Sequence, residues 1–132
     1  MRLGIGITTY KRPDMLNKFL DIVIAEDTDE NRKGIAFRKN ECLRALKDCD
    51  HVFLFDDDCY PIKKGWEEFF IKSGRPHLLF LHHNHEKIMR SGNVDVYSDC
   101  GGVFMYMTKE VIERVGAFDE GFKLYGFEHA DY

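Results

Sequence analysis

His51-Val52-Phe53-Leu54-Phe55-Asp56-Asp57-Asp58 is an apolar run that passes without a break into three carboxylates. A buried strand ending in this way sets hard oxygen ligands at the mouth of a sheet, where a divalent cation and its phosphate ligands fit. Asp56 and Asp58 have the one-residue D-x-D spacing, and they meet a single cation only if the backbone turns after the strand. Asp57 is expected to point elsewhere, and Pro61 soon stops further ladder pairing. Most acidic triplets are solvated loops. Here, however, three like charges at one strand end repel each other unless water or a cation lies between them.

Composition narrows the field. The chain has 132 residues, 44% hydrophobic and 14% aromatic, enough for one domain with a core that needs no staples. A net charge of −4 argues against a nucleic-acid partner, although Lys and Arg are dense from Arg32 to Lys39. Cys42, Cys49, Cys59 and Cys100 form no C-x-x-C pair and read as reduced, mostly buried thiols, hence a cytoplasmic protein. Cys59 lies beside carboxylates that disfavour its thiolate, so it reads as packing. Neither a membrane span nor a secretory signal is expected.

Along the chain, Leu3, Ile5 and Ile7 alternate with Gly4 and Gly6, a first strand with one face flat enough for close helix packing. Pro13 opens a helix carrying Met15, Leu16, Phe19 and Leu20, and Ile22–Ala25 reads as a second strand. Ile35 to Lys47 is helical, with Ala36, Leu43 and Leu46 on one stripe and Asn40 among them as a satisfied buried amide or a ligand contact. A strand ending at Asp56, a helix Trp66–Lys72 and strands His77–Leu81 and Val103–Met107 follow. Thr108 caps a helix Lys109–Val115, and Gly116 ends it. This alternation implies an α/β sandwich with a largely parallel sheet.

Four blocks of this chain resemble family 2 glycosyltransferases. Ile5-Gly6-Ile7-Thr8-Thr9-Tyr10-Lys11-Arg12-Pro13 looks like their opening strand and T-Y-N-R-P loop, and Gly34-Ile35-Ala36-Phe37-Arg38-Lys39-Asn40 like their G-x-a-x-a-[RK]-N segment. Phe53 to Pro61 looks like their metal-binding strand end. Gly101-Gly102-Val103-Phe104, Val115-Gly116-Ala117-Phe118-Asp119-Glu120 and Tyr125-Gly126-Phe127-Glu128-His129-Ala130-Asp131 resemble their G-G-x-F, I-G-G-F-D-E and Y-G-x-E-D-x-D segments. The ordered co-occurrence spans nearly the whole chain.

The resemblance implies a GT-A (nucleotide-diphospho-sugar transferase) fold, a Rossmann-like sandwich with a mostly parallel central sheet. It also implies a metal-dependent glycosyltransferase that moves a sugar from a nucleotide-diphosphate donor to a hydroxyl acceptor. Mn2+ or Mg2+ on Asp56 and Asp58 is implied to neutralise the diphosphate. Asp57 stands beside them, Lys39 with Arg38 or Arg12 pairs with phosphate oxygens, and Thr8, Tyr10 and Asp27 border the base and ribose. The family's general base is the aspartate of an E-D pair, and this chain reads Glu128-His129. His129 serves as base, Glu128 or Asp131 takes over, or the chain is a non-catalytic nucleotide- or sugar-binding module acting with a partner. Histidine titrates in a range suited to proton abstraction. The stretch before Gly34 is shorter than in relatives. The chain also stops at Tyr132, where relatives continue with acceptor-side segments, so a trimmed enzyme, a minimal form and a fragment are all consistent with it.

The remaining features read plainly. His82, His83 and His85, with His51 and His77, lack the spacing of a structural zinc site and fit a polar loop. Trp66, Phe69 and Phe70 have helical spacing and read as core, and Gly101-Gly102 reads as close backbone packing or a bulge.

Overall fold

The computed structural model describes residues 1–10, 21–28, 30–80, 85–122 and 128–132; for Tyr10, Asp21, Ile22, Glu128 and Asp131 it describes the backbone alone. The elements are β1 (Leu3–Tyr10), β2 (Asp21–Asp27), α1 (Ile35–Ala45), β3 (His51–Asp56), α2 (Glu67–Lys72), β4 (His77–Phe80), β5 (Lys87–Ser91), β6 (Val94–Tyr97), β7 (Gly101–Thr108), α3 (Lys109–Val115), a 3-10 turn (Glu120–Phe122) and α4 (Glu128–Asp131). The expected helix from Pro13 lies outside the described residues.

Five strands form the central sheet in the order β2-β1-β3-β7-β4. β1 runs parallel to β2 and β3, whereas β7 is antiparallel to both β3 and β4. The sheet is therefore mixed, and the expectation of a mostly parallel sheet is corrected. The connection through α2 returns β4 in the direction of β3 but one slot away, and β7 fills that slot from the opposite end. A buried apolar run such as Phe104–Met107 carries no information about its direction. β5 and β6 pair as a separate hairpin around Gly92 and Asn93, with Gly92 at φ 64, a conformation that favours glycine. Ile88 and Met89 of that hairpin are exposed, so it lacks the in/out alternation that marks a strand in sequence.

The two faces of the sheet differ. On the α1 face, Val52, Leu54, Met105 and Met107 pack with Ala36, Cys42, Leu43 and Leu46. Burying Leu43 and Leu46 contributes about 2 kcal/mol each. Helix α1 approaches closely because β1 presents glycines to it: a Cβ on Gly6 would lie 2.6 Å from Cys42 Cβ, and one on Gly4 would lie 2.8 Å from Cys49 Sγ. The opposite face is aromatic. Phe53 meets Trp66 edge-on at 4.7 Å and Phe55 meets Phe104 at 4.8 Å, with Phe70 and Tyr106 beside them. Trp66 and Phe70 are core as expected, while Phe69 is exposed beneath the Lys63 ammonium.

Helix α3 spans Lys109–Val115, and Gly116 closes it at φ 93 with its N–H donating to Ile112 O. Thr108 stands at the N-cap in an extended conformation, but its hydroxyl makes no capping bond. Among the described residues, no helix is long and apolar enough to cross a membrane.

Candidate functional site

In strand order β2-β1-β3, the chain passes from β1 to one neighbour and then returns to the other side. The carboxyl ends of β1 and β3 therefore form a topological switch point, the place where open α/β sheets bind ligands. Thr8 of β1 stands opposite Asp56 of β3 in the parallel register. The Thr8 hydroxyl donates to Asp56 Oδ1 at 3.0 Å, and the Thr9 hydroxyl donates to Asp57 Oδ2 at 2.9 Å. Both threonines are buried, so the two carboxylates are oriented from below by fixed donors.

The strand ends at Asp56, and a turn follows in which Cys59 N–H donates to Asp56 O at 3.2 Å. Past that point strand alternation no longer applies. Asp56, Asp57 and Asp58 all line one cavity of about 220 Å³, together with Thr8, Thr9 and Asp27. Thr8 and Thr9 are consecutive on β1 and face opposite sides of it, so the carboxylates they hold, Asp56 and Asp57, are drawn to different sides of the turn. Arg32 and Arg38 line the same cavity, as do Gly34 and Ile35 at the start of α1, so positive and negative groups face a shared space.

Asp27 has a different part from the one expected. Its Oδ1 accepts from Lys33 N–H at 2.8 Å and Arg38 Nε at 3.0 Å, and its Oδ2 accepts from Gly34 N–H at 3.1 Å. Burial opposes its ionisation, but these donors and the Arg38 charge outweigh burial and hold the carboxyl below its ordinary range. Arg38 is desolvated as well, yet its bonds to Glu41 and Asp27 push its pKa up. The pair fixes the loop into Gly34, which enters α1 at φ 95. Asp27 lines the cavity as a clamp whose oxygens are already engaged, which leaves little capacity for a ribose.

Lys39 is also corrected. It does not line the acidic cavity; it is 1% exposed, its Nζ donates to Gly102 O at 2.9 Å, and its ammonium lies 5.8 Å from the Phe118 ring centre. One residue along the helix turns about 100°, so Arg38 takes the cavity side and Lys39 the sheet side. Asn40 is the satisfied buried amide: Nδ2 donates to Phe118 O at 3.0 Å and Glu120 Oε1 at 2.9 Å, and Oδ1 accepts from Phe118 N–H at 2.8 Å.

Lys39 leads to a second group of residues. A Cβ on Gly102 would lie 2.7 Å from His129 Cγ and Nδ1, so α4 rests its histidine on the bare backbone of β7. Gly102 thus provides close backbone packing, as expected. Tyr132 stacks on Phe118 at 4.3 Å, and burial pushes its phenol up to about 12. The side chains of Tyr10, Glu128 and Asp131, and the whole of Arg12, lie outside what is described. Sequence reasoning missed Thr9, although its place beside Thr8 at the end of a strand parallel to β3 was the signal.

Cys59 donates to Val103 O at 3.1 Å, and burial together with the neighbouring carboxylates pushes its thiol up to about 11. Both effects disfavour the thiolate. The imidazoles of His51 and His77 are held by the Tyr106 hydroxyl and carbonyl, at 2.9 Å each, and His82 and His83 are outside the described residues. Among the described residues, no three His, Cys, Asp or Glu side chains converge as a complete metal site. Mg2+ and Mn2+ need no such cage, because one or two carboxylates plus substrate phosphates and water complete their oxygen shell. Asp56 and Asp58 line the same cavity and carry the carboxylate oxygens that mode uses.

No protein-family model, no curated protein and no solved structure matches this chain.

Proposed function

We propose that this chain is a metal-dependent glycosyltransferase of the GT-A type, moving a sugar from a nucleotide-diphosphate donor to a hydroxyl acceptor. The observation that carries the reading is the acidic turn at the switch point: three carboxylates, two of them oriented by Thr8 and Thr9, in one cavity with Arg32 and the start of α1. An acidic face alone would repel a diphosphate, and a cation-lined face alone would not need the aspartates. Their combination suits a metal–diphosphate pair.

Asp56 and Asp58 would hold Mn2+ or Mg2+, with Asp57 beside them. The bound cation would stabilise the negative charge that builds on the leaving phosphate. Thr8 and Thr9 orient the carboxylates, and the Asp27–Arg38 clamp fixes the loop that carries Arg32. Glu128, His129 and Asp131, on α4, are the candidates for taking the acceptor proton.

One observation favours a second reading, a non-catalytic nucleotide- or sugar-binding module. His129, which stands where the resemblance places the base, packs its ring against Gly102. The two readings separate on turnover. With a panel of nucleotide sugars and Mn2+, the enzyme releases nucleoside diphosphate at a rate that falls at least a hundredfold in Asp58→Ala. Metal-dependent nucleotide binding without release supports the module, and release that Asp58→Ala leaves unchanged contradicts both.

A further inference from the structure

A second cavity, of about 320 Å³, lies against the aromatic face of the sheet, and the Asp56–Asp58 turn separates its lining from that of the acidic one. Residues 56–58 line the acidic cavity, while Phe55 and Cys59, which flank them in sequence, line this one. Its walls are Trp66, Phe70 and Phe104, and Ile62 and Tyr60 form its rim with 92% and 75% of their surfaces exposed. Such a concentration of apolar surface, part enclosed and part left in water, is the pattern of a ligand site rather than of ordinary surface.

The lining also indicates the chemistry of the occupant. Cys59 directs its S–H to backbone carbonyls, and Lys63 extends over the Phe69 ring at 5.4 Å. Among the described residues, the Tyr60 hydroxyl and the Lys63 ammonium belong to exposed residues at the mouth, so a hydroxyl placed deeper, among Trp66, Phe70 and Phe104, has few partners. A sugar ring would enter with several hydroxyls unsatisfied, each at a cost, whereas an aliphatic chain loses nothing by leaving water.

We propose that this cavity takes the apolar chain of an amphiphilic acceptor, whose hydroxyl head then lies at the Asp56–Asp58 turn. The role of acceptor rests on the transferase reading. The preference for an apolar chain rests on the cavity itself.

Trp66 is the chain's only tryptophan and stands in the cavity wall, so its emission reports occupancy directly. The full chain is titrated with monomeric 1-hexanol, 1-octanol and 1-decanol in the absence of metal and nucleotide. The expected result is a saturable shift of Trp66 emission, with affinity rising about fourfold per added methylene. Ile62→Asp, at a rim position too exposed to affect folding, is expected to weaken 1-decanol binding at least tenfold with an unchanged thermal midpoint. No saturable shift, affinity independent of chain length, or equal binding by Ile62→Asp would each overturn the apolar site. Chain binding in a protein that shows no metal-enhanced nucleoside diphosphate binding would overturn the acceptor role alone, and loss of chain binding with nucleotide binding intact would overturn the apolar site alone.

Discussion

Gly102→Ala tests how the C-terminal helix is seated. The added Cβ would stand 2.7 Å from Cγ and Nδ1 of His129 and 2.8 Å from its Cβ. Carbon atoms pack at about 3.5–4.0 Å, so α4 must retreat by about 1 Å or the strand must bend. Overpacking of this kind costs about 1–3 kcal/mol, which in a chain of this size lowers the thermal midpoint by about 3–15 °C. The clash is with the near end of the side chain, so a rotamer change does not relieve it. His129→Gly does relieve it, at a cost of about 1 kcal/mol for glycine in a helix. A double-mutant cycle by thermal and urea unfolding should therefore be non-additive. In the His129→Gly background, Gly102→Ala should cost less than about 0.5 kcal/mol. If Gly102→Ala costs the same in both backgrounds, the histidine does not rest on Gly102 and the reasoning fails.

Further outcomes follow from the same contacts. Asn40→Asp replaces a donor facing two oxygens by a buried charge and should cost about 3–5 kcal/mol in urea unfolding, more than Asn40→Ala; a loss under about 1 kcal/mol would contradict the clamp on Phe118. Burial lowers the pKa of His77, and its bond to Tyr106 O restores only part of that shift. Its contribution to stability is thus fully present above the ordinary histidine pKa near ~6.5 and is lost as pH falls below it. Unfolding free energy should drop from pH 7.5 to 5.5 with a shallower slope in His77→Gln, and identical slopes would refute this. Thr8→Val and Thr9→Val each remove one orienting hydroxyl worth about 1 kcal/mol and should weaken metal-dependent nucleotide binding about fivefold. Unchanged affinity in calorimetry would show that the hydroxyls do not position the carboxylates.

Much of the fold was legible because local signals and burial agree. Gly4 and Gly6 announced a flat strand face, and α1 packs there with no room for a Cβ. Gly116 ended α3 at the expected residue. What could not be read was non-local. The direction of β7 depends on which slot the sheet leaves open, and an apolar run such as Phe104–Met107 has no polarity. The hairpin of β5 and β6 escaped because its side chains are mostly exposed and its pattern is neither alternating nor helical.

The candidate site divides along the same line. Three aspartates after a buried strand marked the site, but the orientation of Asp56 and Asp57 came from Thr8 and Thr9, forty-eight residues earlier, through a strand pairing that sequence does not display. The resemblance points Lys39 at phosphate and Asp27 at the base and ribose, and the fold engages both inward. A single step along α1 exchanged Lys39 for Arg38 at the cavity. Asn40 came out as its plain reading had it, a buried amide with every strong bond made to the chain.

Isothermal calorimetry of the full chain against a panel of nucleoside diphosphates, with and without Mn2+, tests the acidic turn most directly. At least one nucleotide should bind tenfold or more tighter with Mn2+, and Asp58→Ala should remove that gain while leaving the thermal midpoint near that of the parent chain. Binding that no cation strengthens, across the whole panel, would contradict a metal–diphosphate site at the end of β3.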